Sequence, residues 1–138
     1  MDIKEILVTK EARVNFLRGL IRLANVDGHV DESEFIFYRQ AASVLGLGDQ
    51  EILELEKLGG GKDTITFNFE TDKEKMFFLI QAVQLCWVND DYSELERKDM
   101  RKICQELNIS MESLEEVEKW ALEGYEWNKR GETLLELH

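Results

Sequence analysis

Proline is absent from the 138 residues of this sequence. Because proline breaks helix interiors and is common in sheet-rich folds and long loops, its absence favours an all-α chain with uninterrupted helices. Cysteine is scarce too: Cys86 and Cys104 are the only two, and they lack the C-x-x-C spacing of metal and redox motifs. Both lie in apolar helical patterns, so we expect buried, reduced thiols.

Basic residues are few relative to acidic ones. The chain has 17 Lys and Arg against 29 Asp and Glu, a formal net charge of −12. Nucleic-acid binding needs clustered basic residues, so we expect no nucleic-acid partner. No apolar run is long enough to cross a bilayer, and charges interrupt the N-terminus where a signal peptide would be apolar. We therefore expect a cytoplasmic protein without direct membrane insertion.

Apolar residues recur at helical spacing in six segments of what we expect to be one domain, residues 1–138. The predicted helices cover residues 11–27, 31–45, 52–58, 71–88, 93–107 and 110–127. Capping boxes predict three of the helix starts, at Asp31 with Glu34, Thr71 with Glu74 and Ser93 with Glu96. Apolar and polar residues alternate over 64–70, which predicts a packed extended connector. The tail to His138 is predicted to be a loose turn.

The sequence repeats itself after a shift of 62 positions. The shift pairs Phe16 with Phe78, Leu17 with Leu79 and Glu34 with Glu96. It predicts two three-helix halves. Neither half can bury its apolar faces alone, so the halves are expected to pack together. We therefore expect an all-α bundle of six to seven helices whose halves pack about a pseudo-twofold axis. Its parts are half 1 (11–58), a connector (59–71), half 2 (72–120) and a C-terminal helix extension (121–138).

Each half carries an acidic turn between its first two helices. Residues 27–34 read DGHVDESE and residues 89–96 read NDDYSELE, each with four carboxylates and no Lys or Arg. Helix capping explains the acids at helix starts, but Asp27 and the run 89–91 follow a helix C-terminus, where negative charge is disfavoured. A bound cation would reverse that penalty, and oxygen ligands favour Ca²⁺ or Mg²⁺. The predicted metal ligands are Asp27, Asp31, Glu34, Asn89, Asp91 and Glu96.

The first acidic turn resembles the signature of the TerB-like (tellurite resistance) family. That signature is an Ala or Val, Asp-Gly, an aliphatic residue two positions further on and Glu seven residues after the Asp. Here Val26, Asp27-Gly28, Val30 and Glu34 match it, and the helix that follows ends in Leu45-Gly46-Leu47. The second copy runs from Val88 to Glu96, with Asn89 in place of the Asp and Asp90 in place of the Gly.

The resemblance covers residues 11–120 and implies an all-α domain of about seven helices in the cytoplasm. It also implies divalent metal binding, notably of calcium, by acidic residues of the repeated motif, here Asp27, Glu34 and Glu96. Asn89 weakens the second site, although Asp91 could supply the missing charge. Members of the family are linked to tellurite and oxidative stress responses. Similar domains occur in DjlA-type co-chaperones, whose J-domain this sequence lacks.

Three functions remain open from the sequence. The preferred one is a non-catalytic, metal-responsive interaction module. The alternative is a metal-independent adaptor or homodimeric scaffold that binds a protein partner through Tyr125 and Trp127, while Trp120 is expected in the core because it matches Leu58. An enzyme is not expected, since the only histidines are His29 and His138 and no nucleophile has an activating partner nearby. Metal-dependent hydrolysis at the acidic turns is the remote alternative.

Overall fold

The computed structural model describes residues 2–59 and 65–137, and all regular secondary structure in these ranges is helical. The all-α prediction is thus confirmed for this part of the chain. None of its helices is both long and apolar enough to span a membrane. The helices are α1 (Ile3–Ile6), α2 (Lys10–Ala24), α3 (Glu32–Val44), α4 (Asp49–Gly59), α5 (Asp72–Trp87), α6 (Glu94–Glu106) and α7 (Met111–Glu136).

The repeat is visible in where the helices begin. Helices α2, α3 and α4 begin at residues 10, 32 and 49, and α5, α6 and α7 begin at 72, 94 and 111, each 62 residues later. The same shift relates the backbone of the turns: Gly28 and Gly46 have φ of 94° and 76°, and Asp90 and Asn108 have φ of 64° and 58°. Asp and Asn are the non-glycine residues that best tolerate this left-handed conformation. The second copy therefore keeps the turn geometry although Asp90 and Asn108 replace the glycines.

All three predicted capping boxes are present. The side chains of Asp31, Thr71 and Ser93 accept hydrogen bonds at the starts of α3, α5 and α6. In return, the Glu three residues later accepts from the backbone N–H of the cap residue. These three glutamates, Glu34, Glu74 and Glu96, are all buried, because the capping interaction folds the side chain back onto its own helix.

The core is centred on the packing of α2 against α5, with α3 and α4 also packed on α2, and α7 on α5. Phe16 of α2 and Phe78 of α5 are completely buried and meet edge to face. Gly19 permits this approach, since a Cβ there would lie 2.3 Å from Cε1 of Phe78. Cys86 and Cys104 are buried in this core and form no disulfide, as expected.

The connector packs against the core without forming a helix or strand over residues 65–69. The rings of Phe67 and Phe69 lie 5.0 and 5.5 Å from the ring of Phe78. Packing of the connector is therefore confirmed for these residues. Gly59, the predicted first residue of the connector, is the last residue of α4, and residues 60–64 lie outside the described part of the chain.

Three details of the sequence interpretation are wrong. The short helix α1 was not predicted, because four residues are too few to show a helical period. Helix α7 continues to Glu136 instead of ending near Trp127 in a loose tail, since no proline stops it and isolated glycines only weaken a helix. Trp120 is 51% exposed and not in the core, because the buried face of α7 is formed by Leu114, Val117 and Ala121.

One buried ion-pair network joins helices of the two halves. The guanidinium of Arg22 in α2 contacts both oxygens of Asp99 in α6, at 3.2 and 2.8 Å, and Oε2 of Glu106 at 2.8 Å. It also donates to the carbonyl of Ile65 in the connector. Burial opposes the charge, but the hydrogen bonds that the guanidinium donates to Asp99 and Glu106 outweigh it and raise the pKa of Arg22. The residue equivalent to Arg22 after the 62-residue shift is Gln84, which has no charge and cannot form the same ion pairs.

We expect Arg22→Ala to lower the free energy of unfolding by about 3–5 kcal/mol, because it leaves the largely buried carboxylate of Asp99 without a counter-charge. Urea denaturation measures the effect. The matched control is Lys10→Ala, which removes an exposed ion pair to Glu51 and should change stability by at most about 0.5 kcal/mol. Equal effects of the two variants would contradict a structural role for the Arg22 network.

Candidate functional site

The two acidic turns meet in space. Asn89, in the turn between α5 and α6, donates from Nδ2 to Oδ2 of Asp31, in the turn between α2 and α3, at 3.2 Å. The other oxygen of Asp31 accepts from the backbone and hydroxyl of Ser33 and from the backbone of Glu34. The sequence predicts two separate cation sites, whereas in the structure Asn89 of one turn contacts Asp31 of the other.

Behind this contact lies a pair of buried carboxyl groups, Glu34 and Glu96, each 3% exposed. One oxygen of each accepts the capping hydrogen bond, from Asp31 N at 3.4 Å and from Ser93 N at 3.0 Å. The other oxygen of each, Oε2, is fully enclosed and accepts no hydrogen bond from an N–H or O–H group of residues 2–59 and 65–137. The two carboxyl groups lie within hydrogen-bonding reach of each other.

Two carboxylates this close in a buried site repel each other strongly if both are ionised. Burial first, and the neighbouring carboxyl of Glu96 second, raise the pKa of Glu34 to about 8. A hydrogen bond between the two groups therefore needs one shared proton. Nearby, the hydroxyl of Ser33 and the hydrogen bonds from Glu34 N and Asn89 lower the pKa of Asp31, which stays ionised.

The thiol of Cys86 lies beside the carboxyl pair. Burial and then the charges of Glu96 and Glu34 raise its pKa well above the ordinary value. Cys86 is therefore a neutral thiol near neutral pH, and not the thiolate that a soft metal would require. A positively charged species entering this site would meet oxygen atoms as its ligands.

The remaining predicted ligands lie on the exposed rim of the turns. The carboxylate of Asp27 accepts from His29 N at 3.4 Å and lies 3.8 Å from Nδ1 of the same residue. Asp91 is exposed, and its backbone N–H donates to Oδ1 of Asn89. In the described ranges, no three His, Cys, Asp or Glu side chains form a ready-made metal cluster. The contacts thus link four of the six predicted ligands, namely Asp31, Glu34, Asn89 and Glu96.

The two residues predicted to bind a partner differ in exposure. The ring of Tyr125 stacks on Trp87 with centroids 4.7 Å apart, which ties α7 to α5. Trp127 follows on a different face of the same helix and is 75% exposed. Tyr125 therefore has a structural contact within this chain, and Trp127 is free to contact another surface.

Sequence reasoning missed the pairing of Glu34 with Glu96 and the neighbouring Cys86. A signal for the pairing was present, because the 62-residue shift places Glu34 opposite Glu96. Identical residues at equivalent positions of a sequence repeat can meet in space if the two copies pack against each other. Nothing in the one-dimensional pattern says which equivalent positions lie there, so the contact needed the packed helices.

Neither family models, nor curated proteins, nor solved structures match this chain. The chemistry of the site therefore depends on its own atoms. Those atoms are two buried carboxyl oxygens without a donor, an ionised Asp31 at their edge and an amide side chain that bridges the turns. Such an arrangement attracts a proton or a metal cation.

The raised pKa of Glu34 predicts how stability depends on pH. Because the folded value lies above the usual value of 4.5, the stability linked to this group is fully present below about pH 4.5. It is lost as the pH rises through about 8. We expect the free energy of unfolding, measured by urea titration with a chelator present, to fall across this window with a slope of up to about 1.4 kcal/mol per pH unit.

The variant Glu34→Gln should flatten this slope, since an amide carries no titrating proton and can still accept the capping bond. Glu74→Gln is the matched control, because Glu74 is a buried capping-box glutamate at the start of α5 whose bonds come from backbone N–H groups. It should keep the slope of the unmodified protein. An unchanged slope in Glu34→Gln would rule out the shared proton.

Proposed function

We propose that this chain is a non-catalytic, TerB-like helical module that binds one divalent cation, Ca²⁺ or Mg²⁺, between its two acidic turns. The observation that carries the proposal is the pair of buried Oε2 atoms of Glu34 and Glu96, which accept no hydrogen bond from an N–H or O–H group of residues 2–59 and 65–137. Buried acceptors without partners are rare in folded proteins and call for a proton, an ion or water. A cation would neutralise both carboxylates at once.

The donor set fits a hard cation. Glu34, Glu96 and Asp31 would supply carboxylate oxygens after their side chains move closer together, since they do not form a metal cluster in the described chain. Asn89 would supply an amide oxygen if its side chain turns from its present hydrogen bonds. Ca²⁺ takes about six to eight oxygen ligands and accepts irregular geometry, whereas Mg²⁺ often uses one or two carboxylates and keeps several waters. Asp27 and Asp91 on the rim add negative potential that attracts the ion. Zinc fits poorly, because the nearby thiol of Cys86 is neutral.

Binding at this place would couple the two halves of the chain. Glu34 lies in the first turn of α3 and Glu96 in the first turn of α6, so one ion would hold the two helix starts together. The 62-residue correspondence of the helices supports the accompanying proposal that the halves pack about a pseudo-twofold axis, as in the TerB-like resemblance. Through that resemblance, the proposal extends to a role in tellurite or oxidative stress responses.

We expect Ca²⁺ or Mg²⁺ to raise the melting temperature of the protein, because a ligand that binds only the folded state stabilises it. Calorimetric titration at physiological salt gives the affinity. Glu34→Gln and Glu96→Gln should each weaken it by about tenfold or more, which is about 1.4 kcal/mol. Asn89→Asp should strengthen it, since it adds a carboxylate where the two turns meet.

Glu74→Gln serves again as the control and should bind the cation like the unmodified chain. If millimolar Ca²⁺ or Mg²⁺ gives neither a calorimetric signal nor a change in melting temperature, the proposal is wrong and the metal-independent adaptor is favoured. An equal response in Glu34→Gln, Glu96→Gln and the unmodified chain would also count against it. That result would mean that the ions only screen the acidic surface.

A further inference from the structure

The C-terminal part of α7 has no partner within the described chain. Apart from Lys129, residues 126–137 are all exposed, and Lys129 is tied to the body by its ion pair with Asp90 at 3.2 Å. The exposed side chains include large apolar ones: Trp127 is 75% exposed, Leu135 79% and Leu137 70%. An amphipathic helix gains its stability in water mainly from packing of its apolar face, so this segment lacks its expected contact.

Large and small residues alternate along one stripe of this helix. Spaced four and three apart, the stripe consists of Trp120, Gly124, Trp127, Gly131 and Leu134. A Cβ built on Gly124 or Gly131 meets no atom within 4 Å, so nothing in the described chain requires glycine at either position. Glycine is among the least favourable helix residues. On this exposed face, Gly124 and Gly131 therefore leave two gaps, called holes below, between the large apolar side chains, called knobs below.

The same stripe borders a groove of ≈ 610 Å³. Its walls come mainly from three helices and include Phe37 of α3, Trp87 of α5 with Val88 directly after it, and Trp120, Gly124 and Trp127 of α7. The hole at Gly124 therefore opens into an aromatic groove. The exposed leucines that lie beyond Trp127 on the same helix are too far along it to fold back into this groove without breaking α7.

We propose that the groove and the stripe form a homodimer interface in which α7 of a second copy packs antiparallel on α7 of the first. In this register Trp127 lies opposite Gly131 of the second copy, and Leu134 of the second copy lies opposite Gly124. The two pairings share one twofold centre, near residue 129. Each pairing therefore occurs twice in the dimer, once on each side of that centre. Leu134 of each copy enters the groove of the other.

Charges beside the stripe favour the same arrangement. Glu126 and Arg130 lie on one flank of α7, and both are exposed. In an antiparallel pair, equal flanks face each other, so Arg130 approaches Glu126 of the second copy on both sides of the centre. A parallel pair would instead set this flank against the opposite flank of the second copy, so Arg130 would not face Glu126. This inference goes beyond the cation site and is independent of it, since none of these residues belongs to the acidic turns.

The interface is one helix pair and a groove, at the small end of stable interfaces, so we expect dissociation constants on the order of micromolar. Sedimentation velocity of the full chain over a range of concentrations should show a monomer–dimer equilibrium. Gly124→Ala and Gly131→Ala fill the holes and should each weaken the dimer by about tenfold or more. Their melting temperatures at concentrations where the chain is monomeric should stay equal or rise, because alanine favours the helix. This separates lost dimerisation from lost folding.

Charge variants test the antiparallel register. Glu126→Arg alone and Arg130→Glu alone should each dimerise more weakly, because like charges then face each other. An equimolar mixture of these two variants should form a heterodimer, since one copy then carries arginine at both positions, the other carries glutamate at both, and each arginine faces a glutamate. A chain that stays monomeric at every accessible concentration overturns the proposal and leaves the groove to another protein. A dimer unaffected by Gly124→Ala and Gly131→Ala overturns it as well.

Discussion

Two carboxyl groups that touch in a buried site cannot both stay negatively charged without a compensating positive species. The pair formed by Glu34 and Glu96 imposes this constraint where the first turns of α3 and α6 come together. Burial and the neighbouring carboxyl of Glu96 raise the pKa of Glu34 to about 8, which favours a proton on the pair. A divalent cation, as proposed above, would be the other way to balance the two charges. The capping boxes of α3 and α6, the contact of Asn89 with Asp31 and the neutral thiol of Cys86 all lie around this pair.

The 62-residue repeat of the sequence supplies both glutamates of the pair. The capping box places a glutamate back over the first turn of its helix, and the repeat supplies two such helices, α3 and α6. A third capping-box glutamate, Glu74, shows the same local structure without a neighbouring carboxyl group. Its carboxylate accepts hydrogen bonds from the backbone N–H groups of Glu70 and Thr71. The chemistry of the site thus comes from the meeting of two ordinary helix caps.

The departures from the repeat have structural consequences of their own. Arg22 links α2 to α6, whereas its counterpart Gln84 borders the groove beside α7. Helix α7 is longer than its counterpart α4, which ends at Gly59, and the additional turns carry the exposed stripe. Arg22 thus takes part in a buried ion-pair network, whereas Gln84 borders the aromatic groove beside the exposed end of α7.

The sequence alone determined the helical class, the starts of six of the seven helices to within a few residues, and the residues of both acidic turns. These features are local, since capping boxes, apolar periodicity and left-handed turn positions are each encoded within a few consecutive residues. Only the tertiary structure decided that Glu34 touches Glu96, that Asn89 reaches Asp31 and that Trp120 and Trp127 border an open groove. Such contacts join residues far apart in the chain, and their formation depends on how whole helices pack.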